Sequence, residues 1–310
     1  MEKTCDYETF VEDMKKEIIL ETGCKEEEIY FVKQGTNPAI KGDRLLWILN
    51  RDGDMKDAFA IRTKEIYENY GGNIPIEKII QESVQNAAYI KEKGFFVQAA
   101  RLTDYEKMKD TLILRLKNKE REGEELDHEI YWSIGDIAIV LYFYLGNVDG
   151  RVITMKVHKG WLNSWGKTEE EVVSKAMGNM LRTMPPRIYD FGEMLSDLEY
   201  KGKEFMDTSK DYRIDKYPMG TCLSTKIYTN GAAVIFIPEV AKRIYQLMGN
   251  GYYLVFTSIH ELMIHNDKTA APEDLRIALR QTMEESTPWE DRLTTHIYHY
   301  DEENGFVVAV

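Results

Sequence analysis

The sequence contains few cysteines, and those present suit neither a disulfide framework nor a zinc site. Cys5, Cys24 and Cys222 are odd in number, widely spaced and without a Cys-x-x-Cys pair. A disulfide scaffold needs an even set of cysteines, and a zinc ribbon needs closely spaced pairs. We therefore expect reduced thiols, as in a cytosolic protein, and we expect no bound metal and no other cofactor.

Long hydrophobic runs are also missing. The longest uncharged apolar stretch extends from Ile137 to Leu145, which is nine residues, whereas a helix that crosses a bilayer needs about 20. The first residues, Met1 to Asp6, do not form the basic segment that leads into an apolar one in a secretory signal. These absences predict a cytoplasmic protein that does not associate with a membrane.

Basic residues are outnumbered, with 40 Lys and Arg against 53 Asp and Glu and a net charge of −13. Nucleic-acid binding takes most of its affinity from basic residues that neutralise phosphates, so the acidity disfavours that function. An acidic surface is typical of a soluble protein, and it also suits an inhibitor that docks on a basic nucleic-acid-handling enzyme. We therefore expect the partner to be another protein.

Apolar side chains, in contrast, recur with strong periodicity. Phe10, Met14 and Ile18 have helical spacing, and the run from Ile137 to Leu145 suits a buried strand or a short buried helix. Short strand patterns separated by turn residues alternate with amphipathic helices along the chain. The pattern predicts an α+β fold with mixed, largely antiparallel sheets, flanking amphipathic helices and two or three packed subdomains.

The length of 310 residues corresponds to about two domains at roughly 150 residues each. Changes in composition along the chain indicate a finer division. The segment before the last third is polar and poorly periodic, which is typical of a connector between domains. The predicted parts are an N-terminal α+β unit over 1–100, a middle helix–hairpin–helix unit over 101–198, an exposed connector over 199–218 and a C-terminal α+β unit over 219–310.

The densest basic segment offers a nucleic-acid-binding alternative. Thr103 and Glu106 have the spacing of a capping box, and Leu112 and Leu116 then fall on one face of the predicted helix. Lysines and arginines surround that face from Lys107 to Arg121. Exposed basic helices are usually only solvated surfaces, and binding through this helix is therefore kept as an alternative function.

The last third predicts a β-hairpin and two further strands. Asn230-Gly231 is a strong hairpin signal between an apolar segment at 223–228 and another at 233–237. Strands are expected at Tyr252 to Phe256 and at Ile259 to His265.

Three neighbouring polar residues are the candidates for catalysis. His260 and His265 are five residues apart, not four, so they do not form the histidine pair of a zinc protease. Ser258 lies two residues before His260, which places both on one face of the predicted strand. Ser258, His260 and Glu261 therefore define the second alternative function, a hydrolase or transferase whose orienting carboxylate the sequence does not identify.

Four blocks of residues occur in a recognisable order. They extend from Leu116 to Tyr142, from His158 to Glu171, from Asn230 to Glu261 and from Tyr298 to Asp301. This order resembles a bacterial domain-of-unknown-function family, numbered 5688, over roughly residues 105–301. The resemblance implies a bacterial protein, and it supplies no known activity, cofactor or catalytic residue.

Residues in these blocks are also the candidates for ligand binding. They are Asn118, His158, Trp161 and Trp165. The two tryptophans either line a pocket or form the hydrophobic start of the helix that Thr168 opens. Because reactive groups are scattered while apolar periodicity is strong, the leading interpretation is a non-enzymatic binding or regulatory protein that acts through protein–protein contacts.

Overall fold

The structure, a computed structural model, describes residues 6–36, 42–52, 55–69, 75–92, 102, 104–148, 151–197, 199–209, 212, 214 and 220–310. The chain divides into two compact units, Met1–Arg101 and Leu102–Val310. Helices and antiparallel sheets occur in both units, so the predicted α+β class is confirmed. The finer four-part division stays a prediction.

The first unit packs helices on a three-stranded antiparallel sheet. Its first helix, α1 (Tyr7–Thr22), starts where the Asp6 carboxylate accepts a hydrogen bond from the Thr9 amide at 2.9 Å. Three side chains of this helix are buried in the core, as their spacing predicts: Phe10, Met14 and Ile18. The sheet order is β1–β2–β3. The other elements are β1 (Ile29–Val32), β2 (Arg44–Asp52), β3 (Met55–Arg62), α2 (Thr63–Asn69) and α3 (Ile76–Glu92).

The second unit begins with a four-stranded antiparallel sheet. Its central strand, β6 (Ile137–Val148), pairs with the three other strands, and Ile137 to Phe143 are all buried. The strand interpretation of this apolar run is therefore the correct one. The elements around it are α4 (Tyr105–Met108), β4 (Leu112–Asn118), α5 (Lys119–Glu122), β5 (Tyr131–Ile134), β7 (Arg151–Lys156), α6 (Trp161–Trp165) and α7 (Glu169–Thr183).

The predicted basic helix Lys107–Arg121 is wrong, because its centre, Leu112–Asn118, is strand β4. Leu112 and Leu116 are four apart, which fits a helix, but with Leu114 they also recur at every second residue, the period of a strand. Pairing with β6 decides between the two periods. The predicted cap Thr103 lies outside the described residues.

A six-stranded antiparallel sheet completes the second unit, in the order β13–β12–β10–β11–β9–β8. The prolines Pro238 and Pro272 open two of its helices, at a position where the missing N–H of proline costs no helical hydrogen bond. The elements are β8 (Pro186–Asp190), α8 (Phe191–Ser196), β9 (Thr221–Thr225), α9 (Pro238–Met248), β10 (Tyr252–Val255), β11 (Leu262–Asn266), α10 (Pro272–Ser286), β12 (Tyr298–Asp301) and β13 (Gly305–Val308).

Two predictions in this region are wrong. The segment Gly231–Phe236 is a buried 3₁₀ helix and not the returning strand of a hairpin. Strand β9 already has β8 on one side and β11 on the other, so no edge is free for a returning strand. The strand predicted at Ile259 to His265 begins only at Leu262, which leaves His260 and Glu261 in a loop.

The segment predicted as an exposed connector contributes to the core where the structure describes it. Phe205 and Ile214 are 0% and 2% exposed and belong to the same hydrophobic cluster as β6. This cluster also runs through residues of the predicted middle and C-terminal units. In the described part of the chain, no helix combines the length and apolarity needed to cross a bilayer.

The capping box of α7 gives a stability prediction. The Thr168 hydroxyl accepts a hydrogen bond from the Glu171 amide at 3.2 Å, and the Glu171 carboxylate accepts one from the Thr168 amide at 2.9 Å. We expect Thr168→Ala to lower the free energy of unfolding by about 1 kcal/mol. Urea denaturation followed by circular dichroism measures this loss.

The matched control is Ser174→Ala, an exposed position inside the same helix. It should leave stability unchanged or slightly raised, because alanine is the better helix former. Equal losses in the two variants would contradict the capping assignment.

Candidate functional site

The loop between β10 and β11 holds the three predicted catalytic residues in a tight turn. The Ser258 amide donates to the Glu261 carbonyl at 3.3 Å, and the Ser258 hydroxyl accepts a hydrogen bond from the His260 amide at 3.0 Å. The same hydroxyl lies 3.4 Å from a Glu261 carboxylate oxygen. The structure thus brings the three residues together, but Ser258 contacts the backbone of His260 and not its ring.

The imidazole of His260 joins two other loops. Its Nδ1 accepts a hydrogen bond from the Asn230 amide at 3.1 Å, and its Nε2 lies 3.3 Å from an Asp291 carboxylate oxygen. Since Nδ1 is the acceptor, the geometry assigns the proton to Nε2, which faces the Asp291 carboxylate. Both ring nitrogens are engaged, so His260 offers no free lone pair to act as a base on a substrate.

The loop before Asn230 is held in an unusual backbone conformation. Tyr228 and Asn230 have φ angles of 54° and 51°, in the left-handed region that bulky residues rarely adopt. Gly231 then sits so close to its neighbours that an added Cβ would lie 2.5 Å from the His260 carbonyl oxygen and 2.6 Å from the Thr225 amide nitrogen. Strain of this kind persists where surrounding contacts fix a local geometry, and it is concentrated at functional sites.

Asn230 connects this loop to the four-stranded sheet. Its side-chain oxygen accepts a hydrogen bond from Nε of Arg115 at 3.1 Å. The Arg115 guanidinium also donates to the Thr154 hydroxyl and lies 5.1 Å from the centre of the Tyr142 ring. Asn230 is only 2% exposed, yet its Nδ2 has no hydrogen-bond partner among the described residues. A buried donor without an acceptor is costly, and in a native protein it calls for a specific explanation.

Two lysines and a glutamate lie on the same region of the sheet. Glu122 lies 3.3 Å from the Lys117 ammonium and 3.1 Å from the Lys156 ammonium. Burial lowers the pKa of Lys117, although the Glu122 carboxylate opposes this effect. Burial tends to raise the pKa of Glu122, but the charges of Lys117 and Lys156 outweigh it and leave the pKa lowered. The three side chains therefore form a partly buried, charged network.

A groove lies beside this region, next to Trp289, and we name it the Trp289 groove. It has a volume of about 370 Å³. Trp289 is 64% exposed, and the Arg121 guanidinium lies 5.5 Å from the centre of its ring while donating to its carbonyl oxygen at 3.1 Å. The lining residues are Asn118, Glu120, Arg121, Asp136, Arg280, Met283, Glu284, Trp289, Arg292, Leu293, Thr294, Thr295 and His296.

The predicted binding residue Asn118 lines this groove and has a structural role there. Its Nδ2 donates to the Leu293 carbonyl at 2.8 Å, and its side-chain oxygen accepts a hydrogen bond from the Arg121 amide at 2.8 Å. Asn118 thereby caps α5 and ties the end of β4 to the segment that follows α10. It positions Arg121, which supports Trp289.

The other predicted binding residues form a separate aromatic group. The ring of His158 stacks on His128 at 5.6 Å and lies 6.2 Å from Trp161, whose ring is 5.9 Å from that of Trp165. Trp165 is 9% exposed and belongs to the hydrophobic core, in contact with Phe143. The structure thus brings His158, Trp161 and Trp165 together, and the contacts of Trp165 fit the hydrophobic start of α7. The residues that this aromatic group contacts differ from the residues that His260 contacts.

Four residues of this region were missed as site residues. Arg115 lies in the predicted basic helix and Asn230 in the predicted hairpin turn, while Asp291 and Trp289 stand in no recognisable motif. Of these four residues, only Arg115 has a usable signal in the sequence. If the segment is given the two-residue period of a strand, Arg115 and Lys117 fall on one face of β4. Among the described residues, no group of three or more His, Cys, Asp or Glu side chains is arranged to hold a metal ion.

The fold and these features define a class of α+β protein in which two antiparallel sheets of one unit build a polar cluster and a groove. Comparison with known families places the chain in one of them. A model of a family of unknown function, DUF5688, matches residues 7–302, and the chain belongs to this family. A search of curated proteins and a search of solved structures each found no match.

The half-buried Glu261 carboxylate gives a prediction of pH dependence. Burial raises its pKa, although the nearby His260 ring and the Ser258 hydroxyl oppose the shift. Because the pKa is higher in the folded protein, the contribution of Glu261 to stability is fully present below the unfolded value of about 4.3 and is lost as the pH rises through the folded pKa. We expect Glu261→Gln, which keeps an acceptor for Ser258, to raise the melting temperature at pH 7 and to have no effect near pH 4.

Calorimetry across this pH range measures the difference between variant and wild type. The exposed Glu303→Gln serves as the control and should show no such pH-dependent gain. A gain for Glu261→Gln that is the same at pH 4 and pH 7 would show that ionisation is not its cause.

Proposed function

We propose that this chain is a non-enzymatic binding protein that acts by docking a segment of a protein partner in the Trp289 groove. The observation that carries this proposal is the exposure of Trp289, which remains 64% accessible although its ring is held by Arg121. Trp and Arg are the residue types most enriched among those that dominate protein-binding energy. A large aromatic ring held rigidly at the surface loses little entropy when a partner covers it.

A second exposed apolar side chain extends this surface. Ile277 is 66% exposed on α10. It lies seven residues before Glu284, a groove residue, so the two side chains occupy one face of the helix, roughly 10 Å apart along its axis. Trp289 follows three residues after α10 ends. A partner segment with two apolar side chains therefore fits this surface.

The charge of the groove bears on which partner is favoured. Three arginines line it, Arg121, Arg280 and Arg292, together with the three carboxylates of Glu120, Asp136 and Glu284. The net charge of −13 supports a role of this chain as an inhibitor of a basic nucleic-acid-handling enzyme. The arginines that line the groove do not add to that support. The protein partner is accordingly proposed by its apolar anchors and not by its charge.

The alternative functions receive less support from the geometry. A hydrolase or transferase at Ser258 requires a base, and both nitrogens of His260 are engaged elsewhere. Nucleic-acid binding was to use a basic helix, and the centre of that segment is a strand instead. In addition, the ammonium of Lys107 pairs with Asp104 at 2.6 Å. The cytoplasmic location stays a prediction from the sequence.

Affinity capture with a matched pair of variants tests the proposal. The tagged chain and its variants are exposed to lysate from the source cells at low and moderate salt. We expect one stoichiometric protein to be retained by wild type and lost with Trp289→Ala. With that protein purified, calorimetric titration should show binding weakened by about 30-fold or more, the loss expected when a dominant contact residue is truncated.

The control is Ile227→Ala, which removes another exposed apolar side chain, 41% accessible and not among the residues lining the groove. It should retain the partner fully. Capture of no stoichiometric protein, or equal retention by Trp289→Ala and Ile227→Ala, would rule out the groove as the docking site.

A further inference from the structure

The guanidinium of Arg115 has more hydrogen-bond donors than the protein uses. Of its five N–H groups, Nε–H is bound by Asn230 and one N–H of NH1 by Thr154. The remaining three have no acceptor among the described residues, and no carboxylate there lies within salt-bridge distance of Arg115. Tyr142 supports the plane of the group from one side. Arg115 is therefore fixed in place with part of its donor fork open.

Burial makes this arrangement costly without an anion. Burial lowers the pKa of Arg115, and the more distant Asp291 carboxylate opposes the shift only in part. Asp291 is itself engaged by Nε2 of His260 at 3.3 Å. A partly buried cation is normally balanced by an anion in direct contact, because removing a charge from water carries a large free-energy penalty.

The neighbouring side chains add further donors and positive charge. Arg115 and Lys117 lie two residues apart on β4, which places them on one face about 7 Å apart. Thr154 and Lys156 have the same relation on β7, and Arg115 reaches across Tyr142 to Thr154. Arg115 thus lies beside two further cations, Lys117 and Lys156, both of which pair with the carboxylate of Glu122.

Asn230 supplies a second and independent indication of a ligand. Its side-chain oxygen is bound to Arg115, while its buried Nδ2 lacks any acceptor in the described structure. The backbone that holds Asn230 is strained, with φ at 51°, and His260 fixes it through the Asn230 amide. An unsatisfied donor of this kind, next to an arginine with open donors, suits a ligand that carries several acceptor oxygens.

We propose that Arg115, with Asn230, Lys117 and Lys156, forms a binding site for a phosphate group. A phosphate monoester carries close to two negative charges and three acceptor oxygens, and a guanidinium binds such a group through two parallel hydrogen bonds. The open N–H groups of Arg115 and Nδ2 of Asn230 together match the three oxygens of a phosphate better than the two oxygens of a carboxylate. This site is distinct from the Trp289 groove and does not depend on a protein partner.

Titration of the intact chain with inorganic phosphate and with phenyl phosphate tests the proposal. Melting temperature and calorimetric heat are followed at constant ionic strength, with acetate as the singly charged comparison. We expect saturable stabilisation by at least one of the two phosphates and none by acetate. Tighter binding of phenyl phosphate identifies a monoester as the ligand class, and tighter binding of inorganic phosphate identifies the free ion.

Arg115→Gln should weaken phosphate binding by about tenfold or more, since it removes charged hydrogen bonds. The matched control is Lys268→Gln, an exposed cation in the turn after β11, which should bind phosphate as wild type does. Trp289→Ala should also bind phosphate normally, so failure of the docking proposal is distinguishable from failure of this one. If Arg115→Gln does not fold, Lys156→Gln replaces it, with a loss of several-fold expected.

No saturable effect of either phosphate on the wild-type protein would overturn the proposal. It would also be overturned if acetate stabilised the chain as strongly as phosphate, or if both site variants bound phosphate as tightly as Lys268→Gln.

Discussion

The junction at Asp136 is the interaction on which the second unit depends. Asp136 lies in the turn between β5 and β6, and its carboxylate accepts hydrogen bonds from the Tyr298 hydroxyl at 2.6 Å and the Thr294 hydroxyl at 2.8 Å. Tyr298 is fully buried on β12 of the other sheet. The turn comes this close only because Gly135 has a φ of 56° and no side chain, since a Cβ there would lie 2.6 Å from the Tyr298 hydroxyl. This carboxylate therefore links the two sheets directly.

Both proposed binding sites lie where residues of these two sheets and their loops meet. The Trp289 groove takes Asn118 and Arg121 from the end of β4, and Trp289 from the segment that leads to β12. The phosphate site takes Arg115 from β4 and Asn230 from the loop after β9. His260 then fixes that loop against Asp291. A shared hydrophobic cluster beneath both regions keeps these polar contacts in register, because a close-packed core leaves little room for adjustment.

The sequence predicted the fold where local signals agree with tertiary pairing. Thr168 and Glu171 form the capping box that their spacing indicates, and Pro238 opens its helix. The errors arise where pairing overrides a local signal. Leu112 and Leu116 fit a helix until β6 pairs with them, and Asn230-Gly231 suits a hairpin until both edges of β9 are occupied. No local pattern contains that information, because the partner strands are distant in sequence.

The candidate site was harder to predict than the fold for the same reason. Ser258, His260 and Glu261 are neighbours in sequence, so their proximity follows from the chain itself. Arg115 and Asn230 are 115 residues apart, and only the completed fold brings them into contact. Trp161 and Trp165 stand out in the sequence because they come just before the helix that Thr168 opens, and both pack against the core. The exposed Trp289 belongs to no motif. Exposure, which decides its proposed role, is a property of the folded surface alone.

A double-mutant cycle between Asp136→Ala and Tyr298→Phe tests the central claim most directly. Urea denaturation of the two single variants, the double variant and the wild type gives the coupling energy between the two side chains. Because the hydrogen bond is partly buried and involves a charged acceptor, we predict a coupling of about 1.5–3 kcal/mol. Losses that add to within about 0.5 kcal/mol would contradict the claim that this carboxylate joins the two sheets.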